Sequence, residues 1–478
     1  MVTRRALLQA GMTLPFASGS LIGCSRQAGP VKSYYRPEMY LENNYGPVDV
    51  ETTLTELTWT GSIPTELTGR FLRNGPNPLN EVDPVSHHWF IGDGMVHGLR
   101  LENGRADWYR NRWVRSEGIV AELGEEVGNR NLSAGSPNTH VIGHAGRTWA
   151  IVESGTPPVE LSYELETIGH SPKWGAFTAH PKVDRETNEL HAISYDWARY
   201  RDHVKYVVMD AEANTAKVVD IPMPAMSMIH DMSITKNFVV IYDFPVTLSF
   251  MALATGSRFP FRWDPEHEAR VGLMPRNGGP EEIVWSPVSQ SYAYHPMNAY
   301  ETEGGNVIVD ICRYDRMFDG DINGPFGDST PKLDRWEVSP TLRKVTETRV
   351  DDRDQEFPRC HPDLNGKAYR YGYTVAAEGN SFPRLFKHDM QTGDSSSFEF
   401  GPGRHGSEPY FVPKESATAE DDGYLMTYVY DEARNASELI ILDALDMSRP
   451  ALAQIQLPVR VPFGFHGSWI ADGDLTAV

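Results

Sequence analysis

Short runs in which apolar residues dominate and polar residues alternate with them recur from about residue 46 to the C-terminus. The clearest occupy residues 148–153, 189–195, 204–210, 238–242, 306–312, 424–430 and 439–443. Each is flanked by Gly, Asp, Asn or Pro, which is how strands bounded by turns read in a sequence. Amphipathic helical periodicity is almost absent. The pattern predicts an all-β fold, and many short strands in one long chain suit a closed propeller, because closure leaves no long unpaired sheet edge. Residues 256–276 break the rhythm and read as an irregular insertion carrying Phe259, Phe261 and Trp263.

The N-terminus follows another logic. Thr3-Arg4-Arg5-Ala6-Leu7-Leu8-Gln9 resembles a twin-arginine export signal, and the apolar, small-residue stretch after it is too short for a comfortable transmembrane helix. Leu21-Ile22-Gly23-Cys24 resembles a bacterial lipobox, making Cys24 a candidate lipidation site. The expected division is an export signal over 1–24, a tether over 25–45 and one propeller domain over 46–478. This places the protein in the periplasm or cell envelope, with a cytoplasmic location as the alternative.

Composition removes several classes of function. The 478 residues carry a formal charge of −21, so phosphate binding, and with it a nucleic-acid partner, is not expected. Any membrane contact would use the lipid anchor or an apolar patch, for which residues 242–251 are apolar enough if exposed. Three cysteines with no C-x-x-C exclude a zinc ribbon or redox pair, and Cys312 reads as a buried small hydrophobe. No G-x-G-x-x-G fingerprint or P-loop is present.

Among 16 histidines, four follow apolar runs at strand ends beside a small, Pro or Asp residue. They are His180, His230, His295 and His466. Imidazole suits Fe, Cu, Ni or Zn, but spacing alone does not separate a ligand from an ordinary core histidine. The neighbouring motifs carry more weight. Arg73-Asn74-Gly75-Pro76-Asn77-Pro78, Gly92-Asp93-Gly94-Met95-Val96-His97, Glu356-Phe357-Pro358 and Glu408-Pro409-Tyr410-Phe411-Val412-Pro413 occur in order with the histidine segments. Ala419-Glu420-Asp421-Asp422-Gly423-Tyr424 and Leu439-Ile440-Ile441-Leu442-Asp443 complete the series. This ordered set resembles the carotenoid oxygenase (carotenoid cleavage dioxygenase) family, from about residue 46 to the end.

The resemblance implies a seven-bladed β-propeller with one Fe(II) per subunit on its axis and with helices and loops capping one face. By motif, His180, His230, His295 and His466 match the family's iron ligands. Glu153, Glu356 and Glu408 match the glutamates that hold the far imidazole nitrogens, pairing with His230, His295 and His466 respectively. Four protein ligands on a six-coordinate ion leave two positions open, and the electron-rich substrate supplies the electrons. No 2-oxoglutarate, flavin, NAD or haem is then required. The implied reaction is cleavage of a C=C bond of a carotenoid or apocarotenoid by O2 to give two carbonyl products. Phe90, Val152, Trp174, Phe244, Phe463 and Phe465 are candidate walls of an apolar substrate tunnel. Family members that cleave phenolic stilbenes or propenylphenols resemble each other in a lysine just before the first glutamate. Val152 stands there in this chain and shifts the expectation towards a hydrocarbon-like polyene. Stilbene or propenylphenol cleavage stays open as the alternative, as does a non-catalytic propeller that only binds lipophiles.

Overall fold

The computed structural model describes residues 37–171 and 173–475. The export signal, Cys24 and residues 25–36 lie outside them. The described chain forms seven antiparallel sheets of four to six strands plus a two-stranded ribbon. The sheets are the blades of a seven-bladed β-propeller. Their inner strands are His140–His144, Lys182–Asp184, Met232–Ile234, Pro296–Glu301, Gln355–Cys360, Tyr410–Pro413 and Gly467–Ala471. Neighbouring blades touch through these strands, including Met232–Ile234 with Pro296–Glu301, and Tyr410–Pro413 with Gly467–Ala471.

The ring closes twice. The C-terminal strand Gly467–Ala471 adds to the blade begun by Gly69–Pro76. The N-terminal strand Thr58–Gly61 pairs with Ala453–Gln456 on the outer side of the last blade. Joining the two ends of the chain in this way leaves the ring without an open seam.

All seven apolar runs seen in the sequence become second or third strands of blades. Those positions are packed on both faces by adjacent blades. Val307–Arg313, for example, is buried at every residue but its last. Outer strands alternate or turn polar, as in Thr215–Pro222. Cys312 is fully buried beside Met297, Leu333 and Tyr369, and burial pushes its thiol well above the ordinary value.

Two expectations need correction. The tether does not extend to residue 45. Pro37–Leu41 and Asn43–Tyr45 are 3-10 turns, and Tyr45 packs edge-on to Trp89 (5.2 Å) and Phe463 (4.9 Å). Aromatic burial of this kind outweighs the polar composition of the segment. The folded domain therefore includes residues before 46. The insertion at 256–276 is not irregular throughout. Arg270–Pro275 is a full blade strand paired with Phe238–Asp243, and Phe261–Trp263 pairs with Val246–Leu248. Caps over the propeller are loops far more than helices, since Glu117–Glu122 and Phe250–Ala254 are the α-helices among the described residues. None of these is long and apolar enough to cross a membrane. Residues 242–248 are buried, whereas Phe250 and Met251 are exposed.

Candidate metal centre

The inner strands explain how residues nearly 300 positions apart in sequence come to one point. His180, His230, His295 and His466 each lie just ahead of an inner strand, in Lys182–Asp184, Met232–Ile234, Pro296–Glu301 and Gly467–Ala471 order. Glu408 precedes Tyr410–Pro413, and Glu356 is the second residue of Gln355–Cys360. Glu153 arrives differently, two residues past the second strand Arg147–Ile151.

One ligand-type atom from each of the four buried histidines lies within 4.8 Å of the others. His180 Nε2 is 3.0 Å from His230 Nε2, which is 3.2 Å from His295 Nε2. The opposite nitrogens are held by carboxylates. Nδ1–H of His230 donates to Glu153 (2.8 Å), that of His295 to Glu356 (2.7 Å) and that of His466 to Glu408 (2.8 Å). With Nδ1 protonated, a neutral imidazole presents a lone pair at Nε2. The short contact between His230 and His295 then sets lone pair against lone pair. A proton or a metal cation between them removes that repulsion, and 3.0–3.2 Å is the separation of nitrogens sharing an ion at about 2.0–2.1 Å. The donor set fits a divalent transition metal.

The electrostatics agree. Burial, and then the neighbouring imidazoles, hold His180, His295 and His466 well below the ordinary histidine pKa, so they are neutral and able to ligate. Burial also opposes charge on His230, but the Glu153 carboxylate outweighs it and its pKa rises. Desolvation pushes Glu356 up to about 8, against the pull of the Phe357 N–H.

Each glutamate has a further partner. Tyr195 hydrogen-bonds Glu153, the Tyr314 hydroxyl donates to Glu356 at 3.4 Å, and Arg359 Nε donates to Glu408 at 2.8 Å. A bulge between Glu356 and Arg359 lets one strand supply both groups. Inside it Phe357 takes φ +52°, a conformation costly for a bulky residue and typical of a functional constraint. Its ring stacks on His295 (5.5 Å) and reaches His466 (5.4 Å). His180 has no glutamate; its Nδ1 lies 3.8 Å from Asp231, which is paired with Lys182.

The Arg-Asn-Gly motif supports this centre from behind. Asn74 N–H donates to the His466 carbonyl, and its amide donates to those of Pro137 and His140. Arg73 donates to Ser407 Oγ and the Pro462 carbonyl. Gly75 permits the contact, since a Cβ there would lie 2.7 Å from Gly464 Cα. A fifth histidine, His140, is near His466, but its nitrogens face the carbonyls of Ala179 and Gly467.

A cavity of about 630 Å³ reaches the centre, with His230, His295 and His466 in its wall. Phe90, Val152 and Phe465 line it. Trp174, Phe244 and Phe463 do not, which corrects their assignment to the tunnel. Trp174 stacks on Trp149 (4.8 Å) and donates to the Ala213 carbonyl, Phe244 packs with Tyr242 and Trp336, and Phe463 with Tyr45 and Phe382. These are core positions between or beside blades. The sequence reading missed Trp89, Phe259, Tyr294, Phe326, Phe357 and Phe382, all of which line the cavity. Phe357 was signalled by the Glu-Phe-Pro motif. The others sit on loops whose common wall only folding creates. Arg258 is the one arginine or lysine among the described lining residues.

The family profile described as RPE65, retinal pigment epithelial membrane protein, matches residues 45–471. A carotenoid cleavage oxygenase of Mycobacterium tuberculosis is 42% identical, over 90% of this chain and 97% of that protein. The chain belongs to the RPE65/carotenoid oxygenase family. A carotenoid 9,10(9',10')-cleavage dioxygenase of Crocus sativus is 30% identical, over 92% of this chain and 90% of that one. Among solved structures, the Pseudomonas brassicacearum lignostilbene dioxygenase aligns with TM-score 0.81 at 27% identity, covering 91% of this chain and 98% of its own. Cobalt-substituted Synechocystis ACO aligns with TM-score 0.79 at 27% identity, covering 92% and 100%. The protein is thus an oxygenase, and the non-catalytic reading falls.

Proposed function

We propose that this family member is a non-haem Fe(II) dioxygenase that cleaves one C=C bond of a carotenoid-like or apocarotenoid-like polyene, placing one oxygen atom of O2 on each carbonyl product. The observation that carries the metal reading is the pair of facing Nε2 atoms whose rings are fixed from behind by glutamates. A bound ferrous ion supplies the redox chemistry that lets ground-state O2 react with an electron-rich alkene. The polyene itself supplies the electrons, so no 2-oxoglutarate, flavin, NAD or haem enters the scheme.

The protein's own tasks are orientation and exclusion. Glu153, Glu356 and Glu408 hold the imidazoles in the tautomer that points Nε2 inward and return negative charge to a site with no anionic ligand. Phe357 blocks rotation of the His295 ring by stacking on it. Phe90, Phe259 and Phe465 provide an apolar wall that aligns one double bond with the centre and keeps water away. Val152 supports a substrate without a phenol, because it offers no charge to a phenolate.

Stilbene cleavage is the second reading, favoured by the close fold match to the lignostilbene dioxygenase. Iron-loaded enzyme incubated separately with an apocarotenal and a hydroxystilbene, followed by identification of the carbonyl products, separates the two. Apocarotenal cleavage is the expected result. Cleavage of the hydroxystilbene alone would replace the first reading by the second.

Twin-arginine export and lipidation at Cys24 are proposed from the sequence alone. Fractionation of a Cys24→Ala variant tests the anchor, which predicts release from membranes. Exposed Phe250 and Met251 offer a second apolar contact, and retention of that variant on membranes would point to them.

A further inference from the structure

A second cavity, of about 450 Å³, also ends at the four histidines. The two chambers have only His295 and His466 in common among their lining residues. His230 faces the apolar chamber alone and His180 the second chamber alone. The imidazoles are therefore a partition with a different environment on each side.

The second chamber is polar and charge-balanced. Lys182 pairs with Asp231 (2.7 Å) and Arg359 with Glu408 (2.8 Å) in its wall, next to Ser468 and His140. Its rim includes the exposed residues Gly143, Arg185, Asn188 and Asp474. Lys182, Arg185 and Arg359 stand against Asp231, Glu408 and Asp474, so cationic and anionic groups are equal in number. Such a lining solvates an ion without holding it in a deep well.

Building on the reading of the histidines as metal ligands, we propose that this polar chamber is the route by which a hydrated divalent cation reaches them. The alternative path also carries the carboxylates of Glu81, Asp93, Glu153 and Glu356, but the last two are engaged by His230 and His295, and the path runs past Trp89, Phe90 and Phe259. Stripping water from a cation between aromatic walls carries a steep desolvation penalty. The polar chamber avoids it, because water, hydroxyl and carboxylate oxygens replace the hydration shell step by step. Asp231, beside His180, is the last such oxygen donor before the imidazoles. Separate routes also mean that a polyene in the apolar chamber does not obstruct metal loading.

The test is the rate of Co(II) uptake by the metal-depleted full-length protein, followed through the visible absorption of the bound ion, with bound metal quantified at equilibrium. Ala211→Trp places an indole in the wall of the polar chamber. Uptake should slow by about tenfold, an added barrier of ~1.4 kcal/mol, with the final stoichiometry unchanged. Arg185→Glu makes the rim more negative and should speed uptake by roughly tenfold at low salt, an effect that fades as salt is raised. Ala134→Trp obstructs the apolar chamber and should leave uptake at the parent rate. Slow uptake in the Ala134 variant with a normal rate in the Ala211 variant overturns the route, as does a parent-like rate in both the Ala211 and Arg185 variants. If the parent protein binds no Co(II) at all, the metal reading itself is lost and the route goes with it. Should Ala211→Trp not fold, the exposed Arg185 substitution decides the question.

Discussion

On one side of the histidines the walls are Phe90, Phe259 and Phe465; on the other they are Lys182, Asp231 and Arg359, locked in ion pairs. Both chambers are built from the same blades and end on the same two imidazoles, His295 and His466. The difference lies in which parts of the blades line them. Loops such as 78–93, 134–139 and 258–261 wall the apolar chamber, whereas inner strands and the turns beside them wall the polar one. Loops tolerate aromatic residues without disturbing strand register, so a hydrocarbon site can be elaborated there. The inner strands and the turns beside them bring Lys182, Asp231, Arg359 and Glu408 to the polar chamber, where these side chains satisfy one another in ion pairs. On the proposed reading, a metal at this boundary would meet its substrate on one side and water on the other.

That contrast can be attacked at several points. The largest expected effect comes from His295→Ala, which removes a residue from both walls. Bound iron, by elemental analysis, and product formation should both be lost; full activity in this variant would end the site assignment. Trp174→Ala touches neither chamber and should destabilise the fold by ~3–5 kcal/mol, as seen by denaturant melting, with the polyene KM unchanged. A large KM change instead would put Trp174 back in the tunnel. Glu356→Gln and Glu408→Gln should each lower metal affinity or turnover by about 10–100-fold. Glu356 lines the apolar chamber and Glu408 the polar one. Only the first should also alter the polyene KM, and equal KM changes in both would blur the division.

A last test uses pH. Burial holds His140, His180, His295 and His466 below the ordinary histidine pKa in the folded, metal-free protein. The unfolded chain therefore binds protons near pH 6.5 that the folded chain refuses, and stability falls as the pH drops below that value. Each such histidine contributes up to ~1.4 kcal/mol per pH unit. The melting temperature of the metal-free protein should be steady above about pH 7 and decline towards pH 5. A flat profile over that range would mean that these rings are already charged when folded.

What could be read in advance depended on which face of a blade a segment occupies. Middle strands such as Phe238–Asp243 and Gly423–Asp431 are buried on both sides, so their apolar runs stand out. Inner strands such as Lys182–Asp184 and Met232–Ile234 span only three residues and carry no such signal. The strands themselves went unread, and the histidines, expected at the ends of apolar strands, instead lie just ahead of these short ones; the histidines and glutamates were legible because those residue types are dictated by chemistry rather than by packing. Trp174 and Phe244 were misplaced because an aromatic near a ligand in sequence can point into the core as readily as into a cavity. Tyr40 and Tyr45 were misread because their polar surroundings hid an aromatic contact with Trp89 that is formed only in the fold.

By itself the sequence determined the all-β class, the four imidazoles and their three carboxylate partners, since each rests on local composition or on an ordered motif. Only the tertiary structure decided that the four-histidine cluster is a partition between an apolar chamber and a polar one. Strand propensity and ligand type are written residue by residue, but a cavity wall is assembled from loops of many blades. Its polarity exists only once those loops share a surface.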